Sequence, residues 1–217
     1  MAQRIFMAGV HGLLGGPGAM GYSLGIDTMF RKARALAPER IDFQTFEEYE
    51  DPRLYAAILA AARRGDFIVG AGHSLGVPDI VRAAHRLGDE QGIATRFVLA
   101  FDGTWNAPSP AIRNPIRRIV NYYGTGFSAL GHDRLEASPG YSGSLVNIGV
   151  FASHVSVDDD LGAHALFVRE IAWLLDPKNT SASLPAPVAA IVKPQPVTVS
   201  VRVIPQSGYS HGDGPAN

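Results

Sequence analysis

Phe67-Ile68-Val69-Gly70-Ala71-Gly72-His73-Ser74-Leu75-Gly76 is the stretch that decides how this chain is read. Its first five residues form a short run that is apolar on both faces, as in a strand buried inside a sheet. A G-x-S-x-G pentapeptide follows over residues 72–76, and apolar residues then recur at helical spacing from Val77 to Leu87, with Gly88 as the expected stop. Strand, tight turn and helix together present a serine at the apex of a strained turn. The residues two before and two after it must lack side chains. Ser74 is therefore a candidate nucleophile, and the Leu75 N–H, at the start of the following helix, points where charge on an attacked carbonyl oxygen would develop.

Outward from this stretch, short apolar runs alternate with helical periods. Arg4 to Val10 reads as a first buried strand, and Ile41 to Phe46 as a half-buried one. Arg96 to Phe101, Arg117 to Tyr123 and Leu145 to Phe151 read as further strands. Helices are expected over Asp27 to Ala37, from the Asp51 cap and Pro52 to a stop at Gly65, and from Asp160 to Leu175. In the last of these Ala163, Phe167, Ile171 and Leu174 make one apolar stripe. This alternation predicts an α/β domain, a mostly parallel sheet with helices on both faces, over residues 1–176. Residues 177–217 hold seven of the 15 prolines and only four charges, and read as a proline-rich arm. Within it, Val197 to Val203 alternates as an edge strand would, a surface suited to self-association.

A serine nucleophile needs a base, and the chain offers seven histidines. His85 and His164 fall within expected helices, His211 within the arm, and His73 would point away from its neighbour in a tight turn. His154 lies between the last strand and the last helix, and is the leading candidate, with His132 in reserve. For the acid, Asp102 ends the strand after the nucleophile's helix, where a carboxylate is well placed to hold an imidazole tautomer. Asp133 also fits the chain order, while Asp158-Asp159-Asp160 reads as a helix cap. The segment after the first strand, Val10-His11-Gly12-Leu13, would supply a second oxyanion donor from the amide of Gly12 or of Leu13.

On these residues, the His11-Gly12 loop, the Gly72-His73-Ser74-Leu75-Gly76 turn and His154 before the last helix, residues 1 to about 176 resemble the α/β-hydrolase family, in particular its small lidless esterases, lipases and thioesterases. The resemblance implies a Ser-Asp-His triad at Ser74, Asp102 and His154. It implies hydrolysis of a small-molecule ester or thioester through an acyl-enzyme, with no cofactor and no metal. The acid in that family more often follows the next strand along, so Asp102 is the less common placement. There is little room for a cap domain between Asp102 and His154, although the proline-rich segment from Trp105 to Arg113 has the makings of a short flap.

Composition narrows the alternatives. Nineteen Lys and Arg against twenty Asp and Glu leave a net charge of -1, with no basic stripe for a nucleic acid. The absence of cysteine excludes disulfides, thiolate metal sites and a cysteine nucleophile. No apolar run reaches the length of a transmembrane helix, and Arg4 to Gly16 is too interrupted by His11 and glycines for a signal peptide, so a cytoplasmic location is expected. One rival is a dinucleotide-binding protein, since Gly16-Pro17-Gly18-Ala19-Met20-Gly21 matches G-x-G-x-x-G with Asp42 downstream. Those glycines begin six residues after the strand, and Pro17 removes an N–H from the loop that would hold a pyrophosphate. The other rival is a hydrolase-like scaffold that serves protein interaction.

Overall fold

In β1 (Ile5–Val10) every side chain is buried, and successive residues enter opposite layers: Phe6, Ala8 and Val10 on one face of the sheet, Ile5 and Met7 on the other. This is why the strand is apolar throughout. The computed structural model describes residues 3–13, 24–104, 107–126 and 134–179. Its remaining strands are β2 (Ile41–Phe46), β3 (Phe67–His73), β4 (Thr95–Phe101), β5 (Arg118–Gly124) and β6 (Ser144–Val150). They form one sheet of order β2-β1-β3-β4-β5-β6, and every neighbouring pair is parallel.

Among the described residues, four α-helices cover the sheet. Helices α2 (Asp51–Arg63) and α3 (Gly76–Gln91) bury Leu54, Ile58, Ile80 and Leu87 against one face. Helices α1 (Leu24–Arg34) and α4 (Leu161–Leu175) bury Met29, Phe30, Phe167 and Ile171 against the other. The stripe Ala163, Phe167, Ile171, Leu174 is wholly buried, and the Asp160 carboxylate caps α4 by accepting the Ala163 N–H at 2.8 Å. Across the sheet from α3, Arg118 of β5 and Glu170 of α4 form a buried ion pair at 3.0 Å.

Helix ends differ from the sequence reading for local reasons. Helix α3 runs past Gly88 to Gln91 and stops at Gly92, whose φ of 66° supplies the left-handed cap. Gly88 serves instead as a contact: a Cβ there would lie 2.2 Å from Pro115 Cδ. Helix α1 ends at Arg34, three residues early, because Pro38 disfavours helical geometry just before it and the chain closes with tighter bonds from Leu36 and Ala37 to Ala33 and Arg34. Leu36 is left exposed.

Chain order and spatial order disagree at one place, between β1 and β3. After β1 the chain leaves for α1 on one face, and after β3 it leaves for α3 on the other. The reversal falls at the carboxyl edge between these two strands, the place where open α/β sheets bind their ligands. Gly12 follows β1 there and Ser74 follows β3. The glycines at 16–21, the region of His132 and Asp133, and the stretch from Val197 to Val203 lie outside the described residues. Within the segment from Trp105 to Arg113, Ile112 is buried in the core and bridges Ala137, so its end is packed down and not a free flap.

Candidate active site

Strand β3 delivers Ser74 by continuing its pairing one residue beyond the strand, where the Ser74 N–H donates to Phe101 O at 2.9 Å. The backbone then turns sharply, with φ of 55° at Ser74. Two glycines make the turn sterically feasible. A Cβ on Gly72 would meet Gly76 O at 2.6 Å, and one on Gly76 would meet Val10 O at 2.3 Å. The pentapeptide's spacing thus follows from backbone touching backbone. Leu75 stands at the N-terminus of α3.

Asp102 follows β4 in the same manner, with its N–H donating to Tyr122 O at 2.8 Å and φ of 46°. Its side chain has no exposed surface. One oxygen accepts the Gly124 N–H at 3.1 Å and the other is 2.9 Å from His154 Nδ1. His154 Nε2 is in turn 2.8 Å from Ser74 Oγ. A carboxylate can only accept here, so Nδ1 carries the hydrogen and Nε2 presents its lone pair to the serine hydroxyl. Residues 52 and 80 positions apart in sequence are brought into one chain of hydrogen bonds.

The loop after β1 closes the other side. A Cβ on Gly12 would lie 2.6 Å from Ser74 Cβ, so any larger residue would displace the serine. Leu13, next along, is largely exposed. Beside Leu75 opens a cavity of about 310 Å³, lined also by Glu48, Tyr49, Pro78 and Ala107. Tyr49 has φ of 69°, and with Ser74 and Asp102 it completes the non-glycine residues of positive φ among those described. All three border the site, and such strain collects where the surrounding structure fixes function.

Two further residues enter this region with partners that the sequence reading did not give them. His73 Nε2 lies 2.7 Å from the carbonyl oxygen of His154, and the two rings pack with centroids 5.1 Å apart. Burial, reinforced by the neighbouring His154, lowers the His73 pKa to about 4, so the ring is neutral. Asp158 is a correction: of the three aspartates only Asp160 caps α4. Asp158 is fully buried in the short turn Val157–Asp159, with one oxygen accepting the Gly25 N–H of α1 at 3.1 Å and the other unpartnered among the described residues. Burial first, then the charge of Asp159, raises its pKa to about 7. His164 Nε2–H donates to Asp158 O at 2.6 Å, which ties the same turn to α4.

Asp42, the acid of the dinucleotide reading, is the second residue of β2, at the amino edge of the sheet, and its carboxylate accepts the adjacent Phe43 N–H. A ribose-binding acid belongs beyond the carboxyl end.

No family model and no curated protein matches the chain. Among solved structures it is similar to a protein assigned to the α/β superfamily of hydrolases from Xanthomonas campestris pv. campestris, at 16% identity over 78% of this chain and 98% of that one, with a TM-score of 0.50. It is also similar to the RedJ thioesterase of the prodiginine pathway of Streptomyces coelicolor (10% identity, 79% and 91% covered, TM-score 0.49) and to human thioesterase 2 (12%, 78% and 95%, TM-score 0.48). Identities this low speak to fold. The chain has the α/β-hydrolase fold. No helix among the described residues is long and apolar enough to cross a membrane.

Proposed function

We propose that this protein is a serine hydrolase that cleaves a small-molecule carboxylic ester or thioester through an acyl-enzyme. The observation that carries the reading is the relay from Ser74 Oγ to His154 Nε2 at 2.8 Å and from His154 Nδ1 to Asp102 at 2.9 Å. His154 takes the hydroxyl proton as Oγ attacks the carbonyl carbon, and Asp102 holds the imidazolium in place. The oxyanion is stabilised by the Leu75 N–H together with that of Gly12 or Leu13. Collapse expels the alcohol or thiol, which receives its proton from His154. Water, deprotonated by the same imidazole, then releases the acid and restores Ser74. A cavity of about 310 Å³ beside Leu75, at the small end of the range for ligand pockets, suits a short acyl or leaving group.

A fluorophosphonate probe tests the reading directly, because it bonds only to an activated serine. Wild type is expected to label and to hydrolyse short p-nitrophenyl esters, with Ser74→Ala doing neither. Hydrolysis that survives in Ser74→Ala would refute it.

A further inference from the structure

Ser74 and its neighbour His73 both reach His154, at different atoms. Ser74 Oγ meets the ring, while His73 Nε2 meets the backbone carbonyl of the same residue at 2.7 Å. A carbonyl oxygen only accepts, so His73 Nε2 carries the hydrogen and donates it. The ring is almost wholly buried, between the turn that carries the serine and the loop that carries the base. Phe151 and Val155, on either side of His154, are exposed, and His154 lies outside any helix or strand.

We propose that His73 is a positioning residue for the reaction, the strut that fixes the His154 main chain so that Nε2 stays aligned on Ser74 Oγ. This rests on the serine-hydrolase reading above. The strut and the nucleophile are consecutive residues, so any displacement of the turn carries the base's anchor with it. The distance between Oγ and Nε2 is thereby insulated from motion of the loop. A neutral ring is also what this place requires, since a charged His73 would repel the imidazolium that forms on His154 during turnover. His73 touches no reacting atom, and its effect passes through His154.

Two variants separate this role from packing. His73→Gln places an amide N–H where Nε2 stood, whereas His73→Phe keeps the ring and deletes the donor. His73→Phe is expected to lose about tenfold to a hundredfold in kcat with KM nearly unchanged, the scale of a small misalignment of reacting groups. His73→Gln should recover most of that loss. A second readout needs no turnover: the proton between His154 Nδ1 and Asp102 should give a low-field proton NMR signal that is absent in His154→Ala. It should be broadened or shifted in His73→Phe and restored in His73→Gln. Wild-type kcat in a folded His73→Phe, or equal losses in both variants with an unperturbed low-field signal, would overturn the proposal. A wild type that neither labels with fluorophosphonate nor hydrolyses esters would instead sink the hydrolase reading, and the NMR comparison would still report whether His73 positions His154.

Discussion

Two loops at the carboxyl edge of this sheet each hold a buried histidine against a carboxylate, and only one of them faces a serine. After β1, His11 Nε2 lies 2.7 Å from Asp27 and Nδ1 lies 3.4 Å from Glu47. After β6, His154 Nδ1 lies 2.9 Å from Asp102 and Nε2 lies 2.8 Å from Ser74 Oγ. Burial opposes charge on His11, but the hydrogen bond and charge of Asp27, with Glu47 adding, raise its pKa overall. Both ring nitrogens of a protonated His11 then donate, and none is left to accept a proton. His154 spends one nitrogen on its carboxylate and keeps the other for Ser74. What the second nitrogen meets decides whether such a pair can only clamp two elements together or can also accept a proton.

The comparison breaks most visibly at the two aspartates. Asp102→Asn should leave the fold intact and set the His154 ring in the wrong tautomer, with a loss on the order of 10⁴ in turnover, as for the same change in a known triad. Asp27→Asn should instead cost stability, about 2 kcal/mol for a hydrogen bond between charged groups, and change turnover less than tenfold. Ester hydrolysis beside denaturant melts of both variants gives the ranking. A loss in Asp27→Asn that approached that of Asp102→Asn would make the first loop part of the chemistry.

The clamp also carries a pH signature. Asp27 is buried, yet the hydrogen bond and charge of His11 pull its pKa below the usual 3.8, while that of His11 stands above 6.5. The pair therefore contributes fully between about pH 3.8 and 6.5. Its contribution fades as acid protonates Asp27 and as base deprotonates His11. The melting-temperature gap between wild type and His11→Gln should be widest inside that window and shrink above pH 7. A gap that stayed constant from pH 5 to 8 would mean that the pair is not an ion pair.

Asp158 sharpens the contrast between the loops further. The folded chain holds a proton on it up to about pH 7, whereas the unfolded chain gives that proton up near 3.8. Its contribution to stability is full below about pH 3.8 and declines as the pH climbs towards 7. Asp158→Asn keeps an acceptor for the Gly25 N–H and should flatten the melting curve against pH over that range. Unchanged slopes would place the Asp158 proton elsewhere. The smallest effect is expected at Asp133, where Asp133→Asn should alter turnover by less than about twofold. A loss larger than that of Asp102→Asn would move the acid to the loop before β6.

What the sequence determined by itself is local. The apolar run of β3, the glycines at 72 and 76 and the apolar period of α3 encode a strand, a close-packed turn and a helix through neighbours a few residues apart, and they put Ser74 at the apex. Asp102 was legible as the end of its strand for the same reason, and aspartate tolerates the positive φ found there. The end of α3 was misread because a glycine can be a cap or a contact, and only Pro115 packed on Gly88 tells which. Tertiary structure alone decided the longer pairings. Asp102 reaches His154 because β4, β5 and β6 lie side by side in register, which brings the Asp102 carboxylate onto the Gly124 amide and the loop after β6 above it. His73 and Asp158 carried no sequence signal for their roles, because a histidine beside a serine and an aspartate before a helix have many ordinary uses. Their partners lie 81 and 133 residues away in the chain. Backbone conformation is set by the residues that share a turn, but a buried side chain's partner is set by which strands and helices the whole core brings together.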